Sequence, residues 1–232
     1  MSEQSTKPQQ QGFFGNLVFN IAIPVIIMTY ASSDEYLGPA WSIVVALAFP
    51  LTYGLIELKN TRKVNMFSVL GIISVLLTGG ISLLKLPAEY MAIKEAAIPA
   101  AIGLAVLITQ FTKKPLVKAL ILNDQIINWD KLNGRLAETN SLELFNKKVA
   151  VSSYIVASSF FLSSVLNYGL AKYILVSEPG TTAYTEELGR MTALSYPVIV
   201  IPSMVLLIIA LVYLFKQISK VTGDPIEDFM HQ

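Results

Sequence analysis

The chain has 232 residues, of which 53% are apolar and only 14% are charged, and its formal net charge is +1. Soluble domains carry about 25% charged residues, so this composition excludes an ordinary water-soluble protein. The chain contains no cysteine and a single histidine, His231, next to its last residue. Disulfides and cysteine-ligated metals are therefore excluded, and a histidine-based metal or acid–base site is not expected.

The apolar residues collect in blocks that are long enough, at 1.5 Å per residue, to cross a hydrocarbon core about 30 Å thick. We predict an all-α integral membrane protein with six transmembrane helices. The spans are expected at about 13–30, 39–58, 66–86, 96–112, 149–175 and 191–215. Residues 1–12 and 216–232 are polar and are predicted to be cytoplasmic tails, the first of them disordered.

The positions of the basic residues predict how these helices are oriented. With the amino terminus inside, 13 of the 17 lysines and arginines fall on the inner side and four on the outer side. Because basic loops stay cytoplasmic, we expect both termini in the cytoplasm, which agrees with an even number of spans. Lys94 is placed in an outer turn, and no ionisable residue is expected at the middle of a span. That absence argues against a proton-coupled carrier.

The predicted cytoplasmic loop between the fourth and fifth spans is the most basic stretch of the chain. From Pro115 onward its apolar residues fall near one face, which predicts one amphipathic helix in the headgroup layer with Trp129 as an interfacial anchor. The apolar residues on that face are Leu116, Leu120, Ile127 and Leu132. Lys113, Lys114 and Lys118 are then expected to attract anionic lipid headgroups, at about 1 kcal/mol per charge. The alternative is that these lysines reflect orientation alone and bind no particular ligand.

Small and hydroxyl-bearing residues inside the predicted spans are further candidates for ligand binding. Gly79 and Gly80 allow either close helix packing or a local break that exposes backbone carbonyls. Ser152, Ser159, Ser163 and Asn167 share one side of the fifth span. Such a stripe lines a polar pathway or holds neighbouring helices together.

Two amides complete the set of candidate binding residues. Asn20 and Gln110 lie within predicted spans, where a buried amide needs a partner. Asn20 precedes Pro24 by four residues, and the proline leaves a backbone carbonyl near Asn20 without its helical N–H partner. This arrangement suits either a small-ligand site or a local hydrogen bond that satisfies the carbonyl. No metal-ligand spacing, nucleotide-binding glycine loop or nucleophile–base pair is visible. We therefore expect no catalytic residue, metal or cofactor, and we do not expect an enzyme.

Three segments carry a family resemblance: Thr78-Gly79-Gly80, then Gln110 followed by Lys113-Lys114-Pro115-Leu116, then Trp129-x-Lys131-Leu132-Asn133. Over roughly residues 60–175 the chain resembles the bacterial intracellular septation protein A family. The resemblance implies an inner-membrane protein that supports cell-envelope integrity, and it implies no reaction or cofactor. The chain departs from that family in having residues 134–148 before the next helix, a full amino-terminal hairpin and a complete sixth helix.

Two functions therefore stay open. The first is a septation-protein-A type protein that contacts membrane lipids, with anionic headgroups at the cytoplasmic face, or contacts envelope and division proteins. The second is a small transporter or channel, with a polar cavity lined by Asn20, the glycine pair, Gln110 and the serine stripe. Further copies of the chain are candidate partners under either function, and nucleic acid is not.

Overall fold

The structure is a computed structural model that describes residues 17–61, 66–112, 115–122 and 126–231. The predicted tail 1–12, the first residues of the first predicted span, Lys113 and Lys114 lie outside this part of the chain. The described residues are organised as helices. These are α1 Val18–Tyr30, α2 Gly38–Thr61, α3 Met66–Leu83, α4 Ala88–Thr109, α5 Leu116–Ile121, α6 Trp129–Glu138, α7 Leu142–Ile174 and α8 Thr182–Thr222, followed by a 3-10 turn at Ile226–Phe229.

Within the described residues, four helices are long and apolar enough to cross a membrane, namely α4, α7, α8 and the part Gly38–Ile56 of α2. Helix α1 and the part Val69–Leu83 of α3 are shorter apolar helices at the places of the first and third predicted spans. On α8 the side chains of Ile201, Met204 and Ile208 are more than half exposed. Because a surface of this kind suits lipid and not water, the helices are those of a membrane-embedded protein.

Prolines shape two of the apolar helices. Helix α1 opens with a π-helical turn at Val18–Ala22, just before Pro24, and α8 contains a second π-helical turn at Tyr196–Val200, which includes Pro197. Proline has no N–H to bond to the preceding turn, and a local π-turn is one way in which a helix accommodates that gap. Helix α8 also begins nine residues before the predicted sixth span, at Thr182.

The chain forms two compact units, Met1–Lys94 with Leu170–Leu194, and Glu95–Gly169 with Ser195–Gln232. In the first unit, the turn after α1 is tied to both α2 and α8. The Ser42 hydroxyl donates to the Ala31 carbonyl at 2.8 Å, and the Thr182 hydroxyl donates to the Ser32 carbonyl at 3.2 Å. These bonds use polar groups that a helix end leaves without partners.

Lys94 belongs to a helix and not to the outer turn in which the sequence prediction placed it. Helix α4 begins at Ala88, eight residues before the predicted start, so Lys94 is its seventh residue. Lys94 is buried, and its ammonium donates to the Thr78 hydroxyl of α3 at 2.7 Å. That hydroxyl donates in turn to the Ser74 carbonyl at 3.0 Å. The Thr78 hydroxyl gives the buried lysine the polar partner that burial of a charge requires.

The second unit has an apolar core that joins α4, α5, α6, α7 and the last part of α8. Phe229 of the final 3-10 turn lies in this core and is 1% exposed. The Asn128 N–H donates to the Phe229 carbonyl at 2.8 Å, and the His231 N–H donates to the Ile126 carbonyl at 3.1 Å. Of the stretch 216–232, predicted as a polar tail, the first residues thus belong to α8, and Phe229 to His231 pack against the segment before α6.

The loop predicted as one amphipathic helix consists of two helices, α5 and α6, separated in sequence by residues 122–128. Leu132 of α6 and Ile127 just before it are fully buried in the core of the second unit. Arg135, also on α6, donates to the Asp224 carboxylate, and this hydrogen bond raises the pKa of the Arg135 guanidinium above its ordinary value. The apolar face of α6 is therefore covered by protein, which corrects the prediction that it rests on lipid.

Candidate functional site

A polar pocket of about 220 Å³ opens in the second unit, where the end of α4 meets α5 and the first turns of α7. Its lining residues are Gln110, Thr112, Pro115, Lys118, Asn146, Val149 and Ala150. Thr109 fixes the turn between α4 and α5, because its hydroxyl accepts from the Leu116 N–H at 3.1 Å and donates to the Ala105 carbonyl at 2.7 Å. This turn holds Gln110 and Lys118 on the same pocket.

Lys118 is the basic group of the pocket. Its ammonium nitrogen lies 3.4 Å from the Asn146 Oδ1 atom, 5.1 Å from the centre of the Phe145 ring and 5.7 Å from the centre of the Trp129 ring. Both ring distances allow a cation–π contact. Burial lowers the pKa of Lys118 below its ordinary value. Among the described residues, no carboxylate lies within 4 Å of its nitrogen.

Gln110 supplies a second unusual group at the same pocket. Its Oε1 atom is buried and accepts no hydrogen bond from any described residue. Leaving a buried acceptor without a donor costs about 1–3 kcal/mol. The pocket therefore combines a lysine that lacks a described anion with an amide oxygen that lacks a described donor.

Only some of the predicted binding residues meet at this pocket. Gln110 lines it, and Trp129 touches its lysine without lining the pocket. Asn20, Gly79 and Gly80 belong to the first unit. Lys113 and Lys114, whose neighbours in sequence line the pocket, lie outside the described residues.

The glycine pair does not break its helix. Helix α3 continues through Gly79 and Gly80 to Leu83. A Cβ atom at Gly79 would lie 3.3 Å from the Leu47 Cδ1 atom, whereas a Cβ atom at Gly80 would have no atom within 4 Å outside its own helix turn. Close packing of α2 on α3 therefore explains Gly79. The alternative, a local break at the glycine pair, is not present.

The serine stripe of α7 holds helices together. The Ser159 hydroxyl donates to the Ser203 carbonyl of α8 at 2.7 Å, and the Ser152 hydroxyl donates to the Ala210 carbonyl at 3.5 Å. The Asn167 amide donates to the carbonyl of Ser163 at 2.8 Å and to its hydroxyl at 3.2 Å. The bonds of Ser152 and Ser159 support helix contact for their part of the stripe, whereas the bonds between Asn167 and Ser163 lie within α7.

Replacing Ser159 with alanine tests this interpretation. We expect Ser159→Ala to lower the free energy of unfolding by about 0.6 kcal/mol, the average for an interhelical hydrogen bond in a membrane protein. Ser158→Ala is the matched control, because the exposed Ser158 hydroxyl bonds only to the Tyr154 carbonyl of its own helix. Unfolding in detergent with increasing dodecyl sulfate measures both variants. An equal effect of the two substitutions would contradict the interhelical role of Ser159.

The sequence alone does not reveal that Asn146 and Lys118 line a pocket. Asn146 carries no signal of its own, since its partner Lys118 is 28 residues away. Lys118 is predicted, with Lys113 and Lys114, to attract anionic headgroups, but its partial burial in a pocket is not predicted. A lysine within an apolar heptapeptide, Leu116–Leu122, is the one sequence signal that points to its partial burial.

Comparisons of the chain with protein-family models, with curated proteins and with solved structures found no match. The resemblance to the septation protein A family therefore stays a prediction that depends on the three segments given above.

Proposed function

We propose that this chain is a membrane protein that binds the phosphate of an anionic lipid headgroup in the Gln110–Lys118–Asn146 pocket. The observation that carries the proposal is Lys118. It is a partly desolvated ammonium between two aromatic rings, and its one described polar partner is the neutral amide of Asn146 at 3.4 Å. A phosphate oxygen in the pocket would supply the charge-assisted hydrogen bond that this group lacks.

The position of the pocket along the chain supports a lipid as the source of that phosphate. Gln110 directly follows α4, and Asn146 lies in the second turn of α7. Both helices are long and apolar enough to cross a membrane, so a group at their ends lies near headgroup depth. The loop between them is the one that the distribution of basic residues assigns to the cytoplasmic face, where anionic lipids attract lysines.

The wider role follows from the sequence resemblance and stays a proposal. A septation-protein-A type protein that holds anionic lipid at the inner face of the bacterial inner membrane would support the envelope by anchoring lipid, or by presenting it to envelope or division proteins. The transporter alternative draws no support from the described residues, because Ser152 and Ser159 of the α7 stripe bond to carbonyls of α8 and Gly79–Gly80 stay helical.

The test is lipid binding by a variant that loses only the Lys118 charge. Lys118→Met keeps an unbranched side chain of similar length against the two rings. We expect it to bind phosphatidylglycerol about five-fold more weakly, the equivalent of roughly 1 kcal/mol for one lysine near an anionic surface. Native mass spectrometry in a non-ionic detergent, with phosphatidylglycerol and phosphatidylcholine added in turn, counts the bound lipids.

Lys147→Met is the matched control. Lys147 is on the first turns of α7, is exposed, and pairs with Glu143 at 2.8 Å instead of lining the pocket. Its substitution should leave the bound-lipid count unchanged. Equal binding by the wild type and Lys118→Met, with both folded, would refute the proposed site.

A further inference from the structure

The Gln110 amide oxygen restricts the chemistry of the ligand more narrowly than Lys118 does. A headgroup that only neutralised Lys118 would leave this oxygen without a donor. We infer that the pocket selects a phosphodiester whose headgroup carries a hydroxyl, as a phosphoglycerol group does. The inference rests on the proposed function and names the chemical class of its ligand.

The first step concerns where a donor for Gln110 can come from. No described residue donates to its Oε1 atom, although Asn146 and Thr112 line the same pocket. The terminal torsion of a glutamine side chain is broad, so a donor in the pocket can draw the buried oxygen toward it. Binding then removes the cost of the unpaired acceptor in addition to forming a new bond.

The second step concerns the kind of donor. An ammonium headgroup also donates hydrogen bonds, but it would bring a positive charge into the pocket that Lys118 lines. Like charges in a partly desolvated site repel each other. A hydroxyl donates without charge, so an anionic phosphate with a neutral hydroxyl satisfies Lys118 and Gln110 together.

The third step concerns space. An engineered apolar cavity of about 150 Å³ accommodates benzene, and this pocket offers about 220 Å³. A phosphoglycerol group therefore fits the available space. The neutral amide of Asn146 adds a hydrogen-bonding group on the same wall.

Trp129 provides a direct reporter for the experiment. The chain has two tryptophans, and Trp41 is 65% exposed, so Trp41→Phe leaves Trp129, beside Lys118, as the single tryptophan. In this background, phosphatidylglycerol is titrated into the detergent-solubilised protein and compared with phosphatidylmethanol. The two lipids carry the same phosphodiester charge, and only the first has hydroxyls. Phosphatidylcholine is titrated as the baseline lipid, and glycerophosphoglycerol is titrated as the soluble phosphodiester.

We expect phosphatidylglycerol to bind about five-fold more tightly than phosphatidylmethanol, as for one additional hydrogen bond that relieves a buried acceptor. In Gln110→Met, which keeps the volume and removes the acceptor, both lipids should bind with the affinity that phosphatidylmethanol has for the parent protein. If Gln110→Met does not fold, the comparison of the two lipids on the parent protein still tests the inference.

The outcomes separate this inference from the function on which it rests. Equal binding of both anionic lipids, with both weakened by Lys118→Met, would overturn the hydroxyl selectivity and leave the headgroup site standing. Binding of neither beyond the level of phosphatidylcholine would overturn both. If glycerophosphoglycerol bound as tightly as phosphatidylglycerol, the ligand would be a soluble phosphodiester and the lipid assignment would fail.

Discussion

Phe229→Ala is expected to lower the free energy of unfolding by about 3–5 kcal/mol, as truncation of a buried phenylalanine does. The residue is 1% exposed and lies in the same core as Phe145, Leu132 and Leu214. Its removal would leave a cavity in this core. The backbone hydrogen bonds of Asn128 and His231 keep the 3-10 turn in place, so the cavity does not close. Thermal unfolding in detergent should show a drop in Tm of roughly 2–4 °C for each kcal/mol lost.

Phe111→Ala is the control for this prediction. Phe111 has the same side chain in the same unit, but it is 82% exposed. Substitutions away from packed features usually change stability by no more than about 0.5 kcal/mol. If Phe229→Ala and Phe111→Ala had equal effects, the last turn of the chain would not be packed in the core.

Gly189→Val is expected to destabilise the first unit by about 1–3 kcal/mol or more, because it overpacks a helix contact. A Cβ atom at Gly189 would lie 3.1 Å from the Met28 Cβ atom, 3.1 Å from the Thr29 Oγ1 atom and 3.4 Å from the Val25 carbonyl oxygen. The Cβ and carbonyl atoms move only with the backbone of α1, so the helices must separate. Titration with dodecyl sulfate, followed by far-ultraviolet circular dichroism, measures the loss.

Gly80→Val is the matched control in the same unit. Gly80 is also helical, but a Cβ atom there would have no atom within 4 Å outside its own helix turn. Valine has a slightly better helix propensity than glycine, so this variant should be neutral or slightly stabilised. A loss of stability in Gly80→Val as large as in Gly189→Val would show that the effect comes from valine in a helix and not from the contact with α1.

Part of this structure follows from local sequence. The apolar blocks predict where the membrane-length helices lie, because a span requires an uninterrupted apolar stretch of fixed length whatever its neighbours are. The helix ends are less well predicted. Helix α4 begins at Ala88 and includes Lys94, whose ammonium bonds to Thr78 on α3, whereas a hydropathy count assigns that lysine to a turn. The stripe of α7 was visible in the sequence, but the choice between a pathway and a contact was not.

The sequence by itself determined the class of protein, the places of the apolar helices and the basic character of the loop that holds Lys118. These are properties of composition and of short windows, which do not depend on which segments meet. Only the tertiary structure decided that α5 and α6 are separate helices, that Phe229 completes a core begun by α6 and α7, and that Gln110, Lys118 and Asn146 share one pocket. Such contacts join residues far apart in the chain, and their energies depend on burial and partners that appear only when the helices pack.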